Sequence, residues 1–307
     1  MKRAILLLNM GGPSNRDEIK IFLTNMFNDK NILSMPSLIR KFVAFMIVKK
    51  RLPIATENYN HIGGKSPIND LTKRLVSKLQ AKTSDTVDFV MNYTPPFPID
   101  VLKKLQDEKV DEITLFSMYP QYSTTTTKSS LESIEEALKE LNYTPKIKII
   151  DRYFDNDLYN KAIIENIKKS LKDKNPADFA LIFSAHGLPV KVIEKGDPYQ
   201  KEIEANVEIL KNMLKNELDF SSIHLAYQSK VGPMKWLEPS LEQKLKQLSE
   251  KNVIIYPIAF TIDNSETVFE LDIELREFAE ELGIHEYLVA SCLNDSDLFS
   301  EMILEMI

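Results

Sequence analysis

The chain has 307 residues, 43% of them hydrophobic and 27% charged, with a formal net charge of −6. That length accommodates two domains of ordinary size, and the acidic balance excludes a general nucleic-acid surface, which needs clustered positive charge. A single cysteine, Cys292, excludes an internal disulfide and a cysteine-ligated iron–sulfur cluster, and points to a reducing compartment.

Residues 4–9 form a short apolar run that reads as a first β-strand, too short for the apolar region of a signal peptide. The following Asn9-Met10-Gly11-Gly12-Pro13 resembles a phosphate-binding turn only weakly, because Pro13 removes an N–H that a phosphate would use. In residues 36–53, apolar Leu38, Ile39, Phe42, Val43, Phe45 and Met46 are bracketed by Arg40, Lys41, Lys49, Lys50 and Arg51. This segment reads either as a helix packed on a sheet or as an apolar face that lines a pocket or touches lipid. No apolar run approaches the ~20 residues of a transmembrane helix, so the expected location is cytoplasmic, soluble or peripheral at a membrane.

Further strands are predicted at 88–92, 112–117, 146–150, 179–184, 223–228, 253–258 and 287–290, with helices at 130–141, 157–172 and 199–214 between them. Continuous apolar strands alternating with helices imply parallel sheets covered on both faces. The fold class is therefore α/β: two Rossmann-like domains, residues 1–150 and 151–307, each with a four-stranded parallel sheet flanked by helices. In such sheets ligands bind beyond the carboxyl ends of the strands, and an interdomain cleft is the expected site.

Of four histidines, His186 stands out: it follows an apolar strand between Ala185 and Gly187, where small neighbours let a ligand approach. Imidazole can hold a metal or take a proton near neutral pH. His61, His224 and His285 read as structural or surface residues. In 263–274, helical spacing of 100° per residue brings Asp263, Glu266, Glu270 and Glu274 within a wedge of about 80°. Apolar residues border that wedge on both sides, as on a helix presenting carboxylates to a cavity. One imidazole facing carboxylates suits transient handling of a divalent metal together with proton transfer.

These blocks resemble the ferrochelatase family. The matching motifs are Asn9-Met10-Gly11-Gly12-Pro13; Tyr59 ahead of Ile62-Gly63-Gly64-Lys65-Ser66-Pro67; Tyr119-Pro120-Gln121-Tyr122-Ser123; Ser184-Ala185-His186-Gly187-Leu188-Pro189; Gln228-Ser229-Lys230-Val231-Gly232-Pro233; and Asp263-x-x-Glu266-Thr267. They occur in the family's order and span almost the whole chain. The resemblance implies insertion of ferrous iron into protoporphyrin IX, with the porphyrin in the interdomain cleft. It implies His186 and Glu266 as metal ligands and proton acceptors, supported by Asp263. Met10 is implied against the ring face and Tyr59 near its edge. Arg51, Ser66 and Ser229 are implied at the propionates, with Tyr119 also among the substrate contacts, and 36–53 as a lip over the pocket that touches the membrane.

Three residues depart from the family pattern. Asn264 stands where histidine is common, Asn92 where arginine is common, and Lys65 in place of a third glycine. Iron is then a substrate, with no permanently bound cofactor and no iron–sulfur cluster, and the chain is expected to be a monomer. The alternatives are a coproporphyrin chelatase, a cobalt or nickel tetrapyrrole chelatase of the same fold, and a non-catalytic porphyrin carrier. The carboxylate stripe speaks against the carrier.

Overall fold

The structure, a computed structural model, describes residues 1–230, 232 and 234–307. Val231 and Pro233, in the fifth of the quoted motifs, lie outside the described residues. The chain divides into two compact units, Met1–Arg152 with Ile303–Ile307, and Tyr153–Met302.

In the first unit, β1 (Arg3–Asn9), β2 (Thr86–Met91), β3 (Glu112–Ser117) and β4 (Lys146–Ile150) form a parallel sheet in the order β2-β1-β3-β4. Five helices accompany it: α1 (Arg16–Asn28), α2 (Ser37–His61), α3 (Ile68–Gln80), α4 (Pro98–Asp107) and α5 (Thr127–Glu140). Alternate residues of β1 serve opposite faces. Leu6 and Leu8 pack with Leu102 and Leu105 of α4 and Ile134 of α5. Ile19, Phe22, Leu23 and Phe27 of α1 join Ala44 and Val48 of α2 in a separate cluster. Each such side chain taken fully out of water contributes about 1.5–3 kcal/mol.

The second unit repeats the design. Strands β5 (Ala180–His186), β6 (Ser222–Gln228), β7 (Asn252–Pro257) and β8 (Glu286–Val289) are parallel in the order β6-β5-β7-β8. Around them lie α6 (Asp157–Leu171), α7 (Val190–Glu194), α8 (Tyr199–Leu214), α9 (Leu241–Gln247), α10 (Leu275–Glu281) and α11 (Asp297–Met306). Each sheet places its first strand inside, with the second on one side and the third on the other. The connections therefore diverge between β1 and β3, and again between β5 and β7. Such a switch point is where open α/β sheets bind ligands.

Three features differ from the sequence expectations. The carboxylate segment is a π-helix, Glu266–Glu274, in which the Leu275 N–H donates to the Glu270 carbonyl five residues back. In an α-helix a four-residue step overshoots one turn, whereas the wider coil leaves it short. Glu266, Glu270 and Glu274 still share a face, so α-helical spacing could not separate the two forms. Leu271 and Leu275 are buried with Ile182 of β5 and Val253 and Ile255 of β7, which fixes the rotation of this segment over its sheet. His186, expected in a loop, is instead the last residue of β5, paired in register with Gln228 of β6. Residues 303–307, expected with the second half, group with the first unit, where the Lys148 ammonium of β4 donates to the carbonyls of Met306 and Ile307.

Candidate active site

His186 and Glu266 meet at the switch point of the second unit, one at the end of β5 and the other shortly beyond β7. His186 Nδ1 lies 2.7 Å from Glu266 Oε2. The imidazole stands edge-on to Phe260, with ring centroids 6.4 Å apart, and its side chain remains 36% exposed, so one edge can be reached from outside. Its backbone is pinned as well: the Tyr199 hydroxyl donates to the His186 carbonyl at 2.9 Å. Gly187 permits the strand ends to close together, because a Cβ there would lie 2.7 Å from the Gln228 carbonyl oxygen.

Glu266 is held at the start of its helix by a local capping network. Its N–H donates to Asn264 Oδ1 at 2.8 Å, and the Asn264 N–H donates to Thr267 Oγ1 at 3.0 Å. Asparagine is a strong capping residue because its short side chain can take up the free amides of a first turn. Asn264, a departure from the family pattern, thus has a structural task here.

Asp263 faces elsewhere. It accepts from the Thr267 hydroxyl at 2.9 Å, the Cys292 N–H at 3.1 Å and the Asn294 amide at 2.7 Å. Among the described residues, none of its hydrogen bonds reaches His186 or Glu266. It ties the helix start to the loop after β8, so its support of the pair is indirect.

Ser229 joins the site directly after β6. Its N–H donates to Glu270 Oε1 at 2.7 Å, and its Oγ lies 2.9 Å from Glu266 Oε2 and 2.5 Å from Glu270 Oε2. Burial pulls the His186 proton affinity down, but the carboxylates of Glu266 and Glu270 outweigh it and leave the imidazole above its ordinary value. For Glu266, burial pushes upward, and the imidazole and the Ser229 hydroxyl win, leaving it below the usual carboxylate range. Glu270 is pushed up to about 7, first by burial and then by the charge of Glu266. Glu274 is raised by burial and by the neighbouring Glu242 and Glu277. A carboxylate held below its usual range and an imidazole held above its own thus sit beside a carboxyl that keeps its proton to near neutrality. Among the described residues, no group of three or more His, Cys, Asp or Glu side chains is arranged to enclose a metal.

In the first unit, Met10 follows β1 and packs against the α1–α2 cluster that includes Tyr59 and Tyr93. Tyr119 is buried just beyond β3. These two therefore lie after the strands that flank the first switch point. Tyr59 is 5% exposed within that cluster. The Arg51 guanidinium lies over the Phe27 ring, 6.0 Å from its centroid. Ser66 is buried under the glycine turn, where a Cβ on Gly12 would lie 2.7 Å from its Oγ. On α2, Leu38, Phe42 and Phe45 are 84%, 67% and 62% exposed, and the helix runs on through Pro53 to His61. His61 and His285 are exposed, and His224 meets Ser222 at 2.9 Å on β6, as structural or surface histidines would.

A sequence model of ferrochelatases matches residues 2–307. The chain belongs to the ferrochelatase family. It is 52% identical to the ferrochelatase of Sulfurimonas denitrificans, over 99% of this chain and 98% of that one. The ferrochelatase of Wolinella succinogenes is 51% identical over 100% of this chain and 98% of its own length. Among solved structures, SirB from Bacillus subtilis with Fe3+ has a TM-score of 0.59 at 11% identity, covering 99% of this chain and 94% of that chain. CbiX, the terminal enzyme for biosynthesis of siroheme in denitrifying bacteria, gives a TM-score of 0.54 at 13% identity, with both chains covered completely. At such low identity the last two are alike in fold alone. The expected family, an iron-inserting lyase of haem synthesis, and the expected fold are met by these matches. Sequence reasoning missed the clamp on Glu270, the anchoring Tyr199 hydroxyl and the cap formed by Asn264. Only the last had a local signal, the cap-rich run Asp263-Asn264-Ser265.

Proposed function

We propose that the chain inserts ferrous iron into protoporphyrin IX, with His186 and Glu266 as the working pair. The observation that carries this is the 2.7 Å contact between His186 Nδ1 and Glu266 Oε2 at the switch point of the second sheet. Because the carboxylate accepts at Nδ1, the other ring nitrogen, Nε2, is the one left to take a pyrrole proton or to meet the metal. The carboxylate also raises the proton affinity of the ring, which makes Nε2 a stronger base. One imidazole and one carboxylate hold iron loosely, as transfer to a better four-nitrogen ligand requires.

Protoporphyrin is preferred over coproporphyrin in this reading. Asn92 in place of a cation suits a ring with fewer carboxylates, and the exposed apolar side chains of α2 suit a more hydrophobic one. Met10, Arg51, Tyr59, Ser66, Tyr119 and Ser229 are the proposed substrate-side residues. Asp263 supports the reacting pair by holding the start of its helix.

Leu38, Ile39, Phe42 and Phe45, with Arg40, Lys41, Lys49 and Lys50 along the same helix, support a peripheral contact of α2 with the cytoplasmic face of a membrane. Among the described residues, no helix is long and apolar enough to cross one. The working protein is a monomer with no iron–sulfur cluster. Anaerobic incubation with ferrous iron and each porphyrin, followed by absorption spectra, tests the reading. Iron should enter protoporphyrin fastest; preference for cobalt or nickel, or for coproporphyrin, would replace it with the rival chelatase.

A further inference from the structure

Asn294 lies in the loop after β8 and in none of the matching motif blocks. Its N–H donates to the Thr261 carbonyl at 2.8 Å. Its carboxamide meets Asp263 twice: Nδ2 donates to Asp263 Oδ2 at 2.7 Å, and Oδ1 accepts the Asp263 N–H at 2.9 Å. The backbone there is left-handed, φ 49°, a conformation that asparagine takes far more readily than most side chains. A short amide also carries a donor and an acceptor on separate atoms, as this two-point contact requires. Backbone and bonding thus select the same residue.

From Asp263 the contacts run on to the reacting pair. Asp263 Oδ1 lies 2.9 Å from Thr267 Oγ1, which accepts the Asn264 N–H at 3.0 Å. Asn264 Oδ1 accepts the Glu266 N–H at 2.8 Å, and Glu266 Oε2 stands 2.7 Å from His186 Nδ1. Asn264 and Thr267 are 5% and 2% exposed, so water does not replace bonds lost along this route. Moving Asp263 therefore moves the turn that carries Glu266.

We propose that Asn294 is a positioning residue for iron insertion: by holding Asp263 at two points, it fixes the turn that sets Glu266 against His186. The inference rests on the chelatase reading above and extends the site to the loop after β8. Asn294 itself adds no ligand to the metal and no contact to the ring.

Asn294→Asp keeps the shape and the backbone preference but turns an oxygen, in place of a donor, toward Asp263 Oδ2. Asp263→Asn spoils the same contact from the other side. Combining Asp263→Asn with Asn294→Asp exchanges the two groups and restores the pair with donor and acceptor reversed, while the amide oxygen at 263 still serves Thr267 and the Cys292 N–H. Iron insertion into protoporphyrin is followed at a temperature where urea titration shows each protein folded, and porphyrin Kd is measured by fluorescence titration. Leu293→Ala is the control, since it loosens the same loop through a buried side chain and leaves every bond of Asn294 in place.

Asn294→Asp should lower kcat/KM for iron by about 10–100-fold, the usual loss when a group orienting a metal ligand is removed. Porphyrin Kd should stay within about two-fold, because uniform ring binding is untouched. The exchanged pair should recover most of the lost rate, the non-additivity expected of two groups in contact. Leu293→Ala should lower the urea midpoint and keep kcat near the wild type. Wild-type kinetics in Asn294→Asp, an exchanged pair no better than the single variants, or an equal loss of kcat in Leu293→Ala would overturn the proposal. If Asn294→Asp does not fold, Asn294→Gly, which this backbone angle favours, carries the same expectation. Wild-type protein that inserts no iron would sink the chelatase reading itself, whereas failure of these variants alone would leave that reading standing.

Discussion

Replacing Glu270 by glutamine should stabilise the protein by an amount that grows with pH. In the folded chain this carboxyl is buried beside Glu266 and holds its proton to about 7, against an ordinary 4.5. A group whose folded value is raised binds its proton more tightly in the folded state, so its stabilising contribution is complete below about 4.5 and is lost as pH rises through about 7. Each unit between the two values weighs about 1.4 kcal/mol, so ionising Glu270 in place costs about 3 kcal/mol by pH 8. Glutamine keeps an oxygen for the Ser229 N–H and carries no charge. The variant should therefore match the wild type near pH 4 and exceed it by about 3 kcal/mol at pH 8. The only tryptophan, Trp236, lies in the second unit, so urea titrations followed by its fluorescence report on this unit. A stability difference that stays constant between pH 5 and pH 8 would refute the assignment of a buried, proton-holding Glu270.

Other substitutions separate the remaining roles. His186→Ala and Glu266→Gln should each keep porphyrin affinity within a few-fold while lowering turnover by roughly 10²–10⁴, and the double variant should lose far less than the product; an active His186→Ala protein would remove the central residue. Phe42→Ala with Phe45→Ala should raise the KM for porphyrin more than it lowers kcat, since it removes exposed area from α2 and leaves the reacting pair alone; collapse of kcat alone would place α2 in the chemistry. Gly187→Ala should cost about 1–3 kcal/mol by pushing against the Gln228 carbonyl. That variant should also slow turnover through the neighbouring His186, and unchanged urea midpoint and rate would show that the strand ends yield freely.

The sheets are legible because each parallel strand is buried on both faces and reads as an unbroken apolar run, such as Ile5-Leu6-Leu7-Leu8. Boundaries of β3, β4 and α8 are set by the same local chemistry and coincide with the sequence reading. His186 is legible as a candidate, but its place as a strand residue is not, since polar residues at strand ends look like loop. The carboxylate stripe is visible through its four-residue spacing, which α- and π-helices share closely enough to hide which one forms. Ser229 illustrates the harder limit: its partners lie 37 and 41 residues away in the chain, and nothing local announces them. Tyr59 shows a similar limit: it packs in the α1–α2 cluster with Phe22 and Val48, partners that its local sequence does not announce.

The grouping of Ile303–Ile307 with the first unit has a bearing on how the protein is made. Translation releases the N-terminal half first, and domains tend to fold in that order as they leave the ribosome. Strand β4 is an edge strand with Ile149 half exposed, and its Lys148 side chain is engaged by carbonyls at 306 and 307. A nascent chain with 152 residues outside the ribosome would thus carry all four strands of the first sheet without the segment that Lys148 engages. The half synthesised first thus receives its last segment only after the other half has appeared.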